Sequence, residues 1–391
     1  MSAAQDLKPT ADKLLAGAVA SGATAGVAAL AVGVDGPFYE GAAGTRVLGG
    51  DAAMDIDTVC WLASMTKPIV SVAATQLVER GAAELDAPAS GVLPELATIG
   101  VLTGFDANGV PQTRAPKRPI TLRHLLTHTS GFGYELFSAD VQKAQAGLGL
   151  PDLSAGKLST LSAPLLFDPG DRWEYGVSID WVGRFVEAVS GQSLGAYLEQ
   201  NVLGPLGMSS TGFKTTPAMR ERRAGMHMRV GEGLAPFPFE PKEDGEFEAG
   251  GGGMSGSARD YGRFVAMVLN DGALDGQRVL GAAGMRLVRE NQMGAVRTTR
   301  LGTATPMALD NEFFPGVEKA WSTAFQINLA PTDTGRSAGA LMWAGLSNCY
   351  FWIDPARRTG GVVLMQTLPF ADAGATGVWL DFEKAVYASA S

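Results

Sequence analysis

The amino-acid sequence predicts an α/β (α+β) protein with strands near both ends of the chain and helices between them. Three observations carry this. Two apolar runs near the start, residues 26–34 and 37–45, flank the turn pair Asp35-Gly36. Strand-like runs return late in the chain at 324–329, 340–343, 349–353 and 361–366, the last two flanking Pro355-Ala356-Arg357-Arg358 as an antiparallel hairpin would. Between the two sets, apolar residues recur at helical spacing.

Taken in order, residues 9–21 read as a short amphipathic helix. The run Pro68-Ile69-Val70 belongs to a helix over 64–81 that ends at Arg80-Gly81. Pro68 fits its first turn, where the N–H groups have no intrahelical partner. Residues 86–118, rich in Gly and Pro, are expected to be loop with short helical pieces. Thr121 caps a helix that runs to His128 and stops at Ser130-Gly131. Trp181, Val182, Phe185, Val186 and Val189 share one face of a helix over 179–190, ended by Gly191. Ser257 and Asp260 stand at capping-box spacing before a helix over 258–269. A last helix covers 378–388. The glycine run 250–253 is too short to separate domains.

Composition excludes several classes. With 391 residues, 46% hydrophobic and 18% charged, the chain is globular and long enough for one large domain or two lobes. A net charge of −9 and the absence of any basic run argue against a nucleic-acid partner. Cys60 and Cys349 are too few for a disulfide framework and read as buried free thiols. His124 and His128 are four apart, as in a metal-binding helix, but no acidic third ligand accompanies them. No metal and no cofactor is expected. The N-terminus lacks a signal-peptide pattern, and the glycine-broken run 25–34 is too short to span a bilayer. A cytoplasmic protein without a membrane partner is expected.

The chemistry is concentrated in Ser64-Met65-Thr66-Lys67. A hydroxyl at a helix start, with an amine one turn behind it, can be an activated nucleophile. The helix N-terminus favours oxyanion character, and a neutral lysine can take the proton. The motif alone is weak, because a serine ahead of a helix is ordinarily an N-cap. Two further strings stand beside it. In Phe167-Asp168-Pro169-Gly170-Asp171-Arg172-Trp173-Glu174-Tyr175-Gly176, a Pro-Gly turn leads to an aromatic strand end. Trp343-Ala344-Gly345-Leu346 closes a strand-like run. Alone, each aromatic residue would be read as core.

Together these strings resemble the serine β-lactamase and penicillin-binding-protein superfamily. Within it the chain is most similar to the family VIII carboxylesterases, relatives of class C β-lactamases. The similarity is carried by 61–67, 120–131, 169–175, 250–254 and 343–345, in the family's order. It implies an antiparallel sheet flanked by helices, from residues 1–80 and 255–391, plus a mostly helical lobe from 81–254. It implies Ser64 as acylated nucleophile, Lys67 as the group that holds and deprotonates it, and Tyr175 as second member of the proton relay. The N–H groups of Ser64 and Leu346 would form the oxyanion hole. Trp343, Gly345 and Tyr134 would meet the substrate. Phe132 and Phe137 are either walls of the acyl pocket with Tyr134 or ordinary loop packing. His124 and His128 belong to a structural helix. A phenol loses its proton only near pH ~10. A close Lys67 cation would lower that value, and proton sharing would favour neutral Lys67; the resting proton is unassigned at this level.

The departures from the family pattern are informative. Val177 stands where β-lactamases carry Asn, and Trp343-Ala344 where they carry Lys-Thr. A substrate carboxylate would lose its positive partner, which favours uncharged, apolar acyl substrates. The expected activity is a serine carboxylesterase that hydrolyses short- to medium-chain acyl esters of small molecules through a Ser64 acyl-enzyme. The alternatives are acyl transfer to an alcohol or amine, amide or β-lactam hydrolysis, and a non-catalytic binding protein on the same scaffold. An α/β-hydrolase triad is excluded: Gly253-Met254-Ser255-Gly256-Ser257 lacks the last glycine of the elbow, and no histidine follows His227.

Overall fold

The computed structural model describes residues 3–389. Helix α1 (Ala3–Ala20) leads into β1 (Gly26–Gly33) and β2 (Gly36–Gly44). Helices α2 (Thr66–Glu79), α3 (Leu122–Leu126), α4 (Ser178–Ser190) and α5 (Ala258–Leu269) follow. Strands β3 (Lys319–Trp321), β4 (Gln326–Asn328), β5 (Leu341–Gly345), β6 (Cys349–Asp354) and β7 (Thr359–Leu364) precede helix α6 (Ala373–Ser389). The strands form one antiparallel sheet in the order β3-β4-β5-β6-β7-β1-β2. The N-terminal hairpin thus completes the C-terminal meander, with Ala29 opposite Val363.

Helices cover both faces, as strand β6 shows. Successive strand side chains point to opposite faces. Tyr350 stacks on Trp379 of α6 at 4.4 Å and Trp352 meets Phe382, whereas Phe351 between them meets Tyr261 of α5 at 5.0 Å. Every residue of β6 and β7 is therefore buried, and their apolar runs are continuous rather than alternating. Helix α2 packs on α4 and brings the serine motif to the junction between sheet and helices. Cys60 and Cys349 are buried and free. Among the described residues no helix is long and apolar enough to cross a membrane.

Several boundaries differ from the sequence reading. Helix α1 begins before residue 9 and runs through Pro9, which stands beyond the first turn and so removes one intrahelical hydrogen bond. Residues 86–118 contain a hairpin, Val101–Phe105 with Pro111–Arg114, as well as short 3₁₀ turns. Its strands are mostly half-buried or exposed, with Val101 alone buried, so they carry almost no apolar alternation. Helix α3 ends at Leu126, because His128 takes a left-handed φ of 55°. At α5 the capping box is half made: Ser257 accepts from the Asp260 N–H, but the Asp260 carboxylate turns to Ser210 and Thr211.

Helix α6 is pinned by a fully buried ion pair. Arg336, in the loop before β5, donates to Glu383 at 2.6 and 2.5 Å. Removing one partner of such a pair leaves an uncompensated buried charge. Glu383→Leu is expected to cost about 3–5 kcal/mol in urea unfolding, and Arg336→Met in the same chain to recover most of it.

Candidate active site

Ser64 lies in a 3₁₀ turn, Ala63–Met65, directly before α2. It is not an N-cap: the cap position is Met65, and no side chain caps the helix. The Ser64 hydroxyl is turned to Lys67, whose Nζ donates to Oγ at 3.0 Å. The turn is held by Leu62 N–H on Met254 O and Met65 N–H on Leu62 O. Ala63 carries a left-handed φ of 46°, a strained value of the kind found at functional turns.

Lys67 is 1% exposed, and all three of its N–H groups are used. Besides Ser64 they go to the Tyr134 hydroxyl at 3.1 Å and to Gly251 O at 2.6 Å. The network closes on Asp180 of α4. Gly251 N–H donates to Asp180 Oδ1 at 2.9 Å, and the Tyr134 hydroxyl donates to Oδ2 at 3.4 Å. A side chain at Gly251 has no room, since a Cβ there would lie 2.4 Å from Asp180 Oδ2 and 2.6 Å from the Tyr134 oxygen. The glycine run, which looks like a linker fragment in the sequence, is a backbone wall pressed against Lys67.

Burial sets the charges. Desolvation pulls Lys67 down to about 7, opposed by the Asp180 carboxylate. Desolvation raises Asp180, opposed by Lys67. It also raises Tyr175, opposed by hydrogen bonds to Ser64 and Trp343, and pushes Tyr134 well above its ordinary value. The sequence reading expected the Lys67 cation to lower the phenol. Desolvation raises it instead, so Tyr175 keeps its proton and Lys67 is the group that titrates near neutrality.

Tyr175 lies beside this network. Its ring centroid is 4.6 Å from Lys67 Nζ, and its hydroxyl contacts Ser64 and accepts the Trp343 indole N–H at 3.0 Å. The hydrogen bond to Lys67 expected of the relay tyrosine is made by Tyr134 instead. Glu174 N–H on His128 O and Gly170 N–H on Thr129 O tie the Tyr175 segment to the segment after α3. His128 packs against Tyr175 at 4.9 Å and Trp321 at 5.0 Å, and neither ring nitrogen has a hydrogen-bond partner among the described residues. His124 completes the capping box of α3 with Thr121.

Gly345 ends β5 against the serine strand: a Cβ there would lie 2.3 Å from Leu62 O. That approach brings Leu346 into the same cleft as Ser64. The cleft, about 100 Å³, is walled by Leu136, Phe137, Leu153, Leu301 and Phe370, with Tyr134, Tyr175 and Trp343 at the reacting end. Phe137 lines it, but Phe132 does not; that ring is buried on Trp181. A wider groove of about 620 Å³ lies between β1, β2 and α5, but its arginines are already paired, Arg259 with Asp57 and Glu40, and Arg263 with Asp275. It contains no nucleophile beside a base. Sequence reasoning missed Asp180 and the second role of Tyr134. Both needed the knowledge that α4 and the glycine run meet behind Lys67.

Comparison with known proteins gives the family. The Beta-lactamase family profile matches residues 11–385, and the chain belongs to that family. It is 32% identical to monacolin J acid methylbutanoyltransferase of Aspergillus terreus over 86% of this chain and 83% of that one. It is 30% identical to lovastatin esterase of Penicillium rubens, over 91% of this chain and 92% of that one. A mutant of simvastatin synthase from Aspergillus terreus superposes with a TM-score of 0.85 and 29% identity, covering 98% of this chain and 95% of that one. The protein is an enzyme of the serine β-lactamase and penicillin-binding-protein-like superfamily.

The crowding at Gly251 makes a direct prediction. Gly251→Ala must displace Asp180 or Tyr134 and is expected to cost about 1–3 kcal/mol in urea unfolding, where an ordinary loop Gly→Ala change would cost little.

Proposed function

We propose that the protein is a serine acyl-transferring enzyme. Ser64 takes an acyl group from an uncharged ester and passes it to an alcohol, with water as the competing acceptor. The observation that carries this is Lys67 Nζ at 3.0 Å from Ser64 Oγ, buried and drawn down to about 7, at the end of an apolar cleft. The sequence alone favoured hydrolysis as the main outcome. Similarity to a methylbutanoyltransferase over most of the chain moves the weight to transfer, and similarity to an esterase keeps hydrolysis as the second reading.

In this mechanism neutral Lys67 takes the Ser64 proton as Oγ attacks the acyl carbonyl. The tetrahedral oxyanion faces the N–H groups of Ser64 and Leu346. Protonated Tyr175, in contact with Ser64, gives its proton to the departing alkoxide, which leaves a phenolate beside the Lys67 ammonium until deacylation. Deacylation runs these steps in reverse with the acceptor alcohol in the leaving group's place. Among the described residues no charged side chain lines the cleft, so a carboxylate on the substrate finds no cationic partner other than the base itself. Val177 and Trp343 support the same conclusion.

The test is p-nitrophenyl butyrate turnover with and without a small apolar alcohol, analysed for butyrate and for the new ester. New ester is expected to exceed butyrate at moderate alcohol concentration, and Ser64→Ala to lose both products by at least about 10³-fold. Butyrate alone at every alcohol concentration would make the enzyme a plain esterase. Nitrocefin is expected to be at least about a hundredfold poorer, since each missing buried charge partner costs on the order of 3 kcal/mol.

The pH profile tests the base. Below about 7 Lys67 is an ammonium and cannot accept the serine proton, so kcat/KM should rise with pH through that region. The Asp180 carboxylate favours the ammonium, so its removal lowers the lysine value further. In Asp180→Asn the rising limb should therefore move to lower pH. A limb left in place would mean that another group controls it.

A further inference from the structure

An oxyanion hole made from two backbone N–H groups works only if their spacing is fixed. Here Ser64 and Leu346 come from opposite ends of the chain. We propose that Gln366 is the positioning residue that fixes them: its carboxamide fastens the strand that delivers Ser64 to the turn that delivers Leu346. The proposal rests on the acyl-enzyme reading above.

Trp61, three residues before Ser64, pairs on one side with Ser255. On its other side both of its main-chain polar groups go to one side chain. Trp61 N–H donates to Gln366 Oε1 at 3.0 Å, and Gln366 Nε2 donates to Trp61 O at 3.1 Å. The carboxamide therefore acts as a strand one residue long. The same Nε2 is 3.1 Å from Ser347 Oγ, and the Ser347 hydroxyl donates to Trp61 O at 2.9 Å. Ser347 is the residue after Leu346. Its carbonyl also accepts from Thr367 N–H at 3.1 Å, so the main chain beside Gln366 holds the same turn.

The orientation of the amide is determined. A flipped group would set its NH₂ against the Trp61 N–H and lose both bonds. Gln366 and Ser347 are buried, so water cannot replace these bonds. Neither residue lines the cleft, and neither touches the reacting atoms. Methionine at 366 would fill the space without the bonds, and glutamate would set an acceptor against the Trp61 carbonyl. Glutamine alone among the near-isosteres offers a donor and an acceptor side by side.

The experiment compares wild type, Gln366→Met and Ser64→Ala on p-nitrophenyl butyrate, with butylboronic acid as the probe of the oxyanion hole. Boron accepts Ser64 Oγ and places a boronate oxygen where the oxyanion forms. In Gln366→Met, kcat is expected to fall about 10- to 100-fold and boronate affinity by a similar factor, with KM changed by less than about threefold. A merely structural role would lower thermal stability and leave the boronate affinity within about twofold of wild type, and that result overturns the proposal. If Gln366→Met does not fold, Ser347→Ala removes only the hydroxyl link. It should show the same signature at smaller size, and unchanged boronate affinity in it likewise overturns the proposal. Turnover that survives Ser64→Ala would overturn the acyl-enzyme reading itself and Gln366 with it. Turnover lost there but intact in folded Gln366→Met overturns the Gln366 role alone.

Discussion

An ammonium group in a dry site is the constraint around which the rest of the structure is arranged. Lys67 has to lie behind Ser64, where water does not reach. Burying a full charge is costly unless it is hydrogen-bonded or neutralised. The protein does some of each. It gives every N–H of Lys67 an acceptor, and it keeps the one nearby carboxylate, Asp180, behind Tyr134 and Gly251 rather than in direct contact. A direct ion pair would have locked the lysine as a cation. The indirect arrangement leaves it near the point of proton loss, which is what a base for a serine hydroxyl requires.

The third motif shows how the same scaffold changes its preference in substrate. A lysine at position 343 would have added a second cation to the site and a partner for a substrate carboxylate. Trp343 supplies a neutral N–H, and that N–H is already engaged by the Tyr175 hydroxyl. Trp321 packs edge-on against Trp343, and His128 packs at a tilt against Tyr175. The phenol thus has a donor on one side and the nucleophile on the other, within an aromatic shell that raises its affinity for its proton. On the proposed mechanism, the residues that orient the relay also leave a substrate carboxylate without a partner.

Local signals account for what was legible in the sequence. The serine motif, the tyrosine string and the third motif could be recognised because each is contiguous. The two-ended sheet could be recognised because β1, β6 and β7 are unbroken apolar runs. The hairpin at Val101–Phe105 carries no such run, and only its turn residues mark it. Asp180 reads as one more residue on the polar side of a helix, yet it is fully buried, because α4 turns that position toward the glycine run. Tyr134 reads as a pocket wall. Its contact with Lys67 depends on a packing distance that no spacing in the chain encodes.

The division of labour in the site follows from where its parts originate. Nucleophile, base and relay are held by short buried contacts among α2, α4 and the segments before and after them. The cleft walls come from elsewhere: Leu301 belongs to a stretch that pairs with Asn311 and crosses to Leu136, and Phe370 follows the last strands. Neither Leu301 nor Phe370 is a hydrogen-bond partner of Lys67, Tyr175 or Gly251. On the acyl-transfer reading proposed above, the proton transfers are the same for water and for an alcohol, so the walls are where the two acceptors would be told apart.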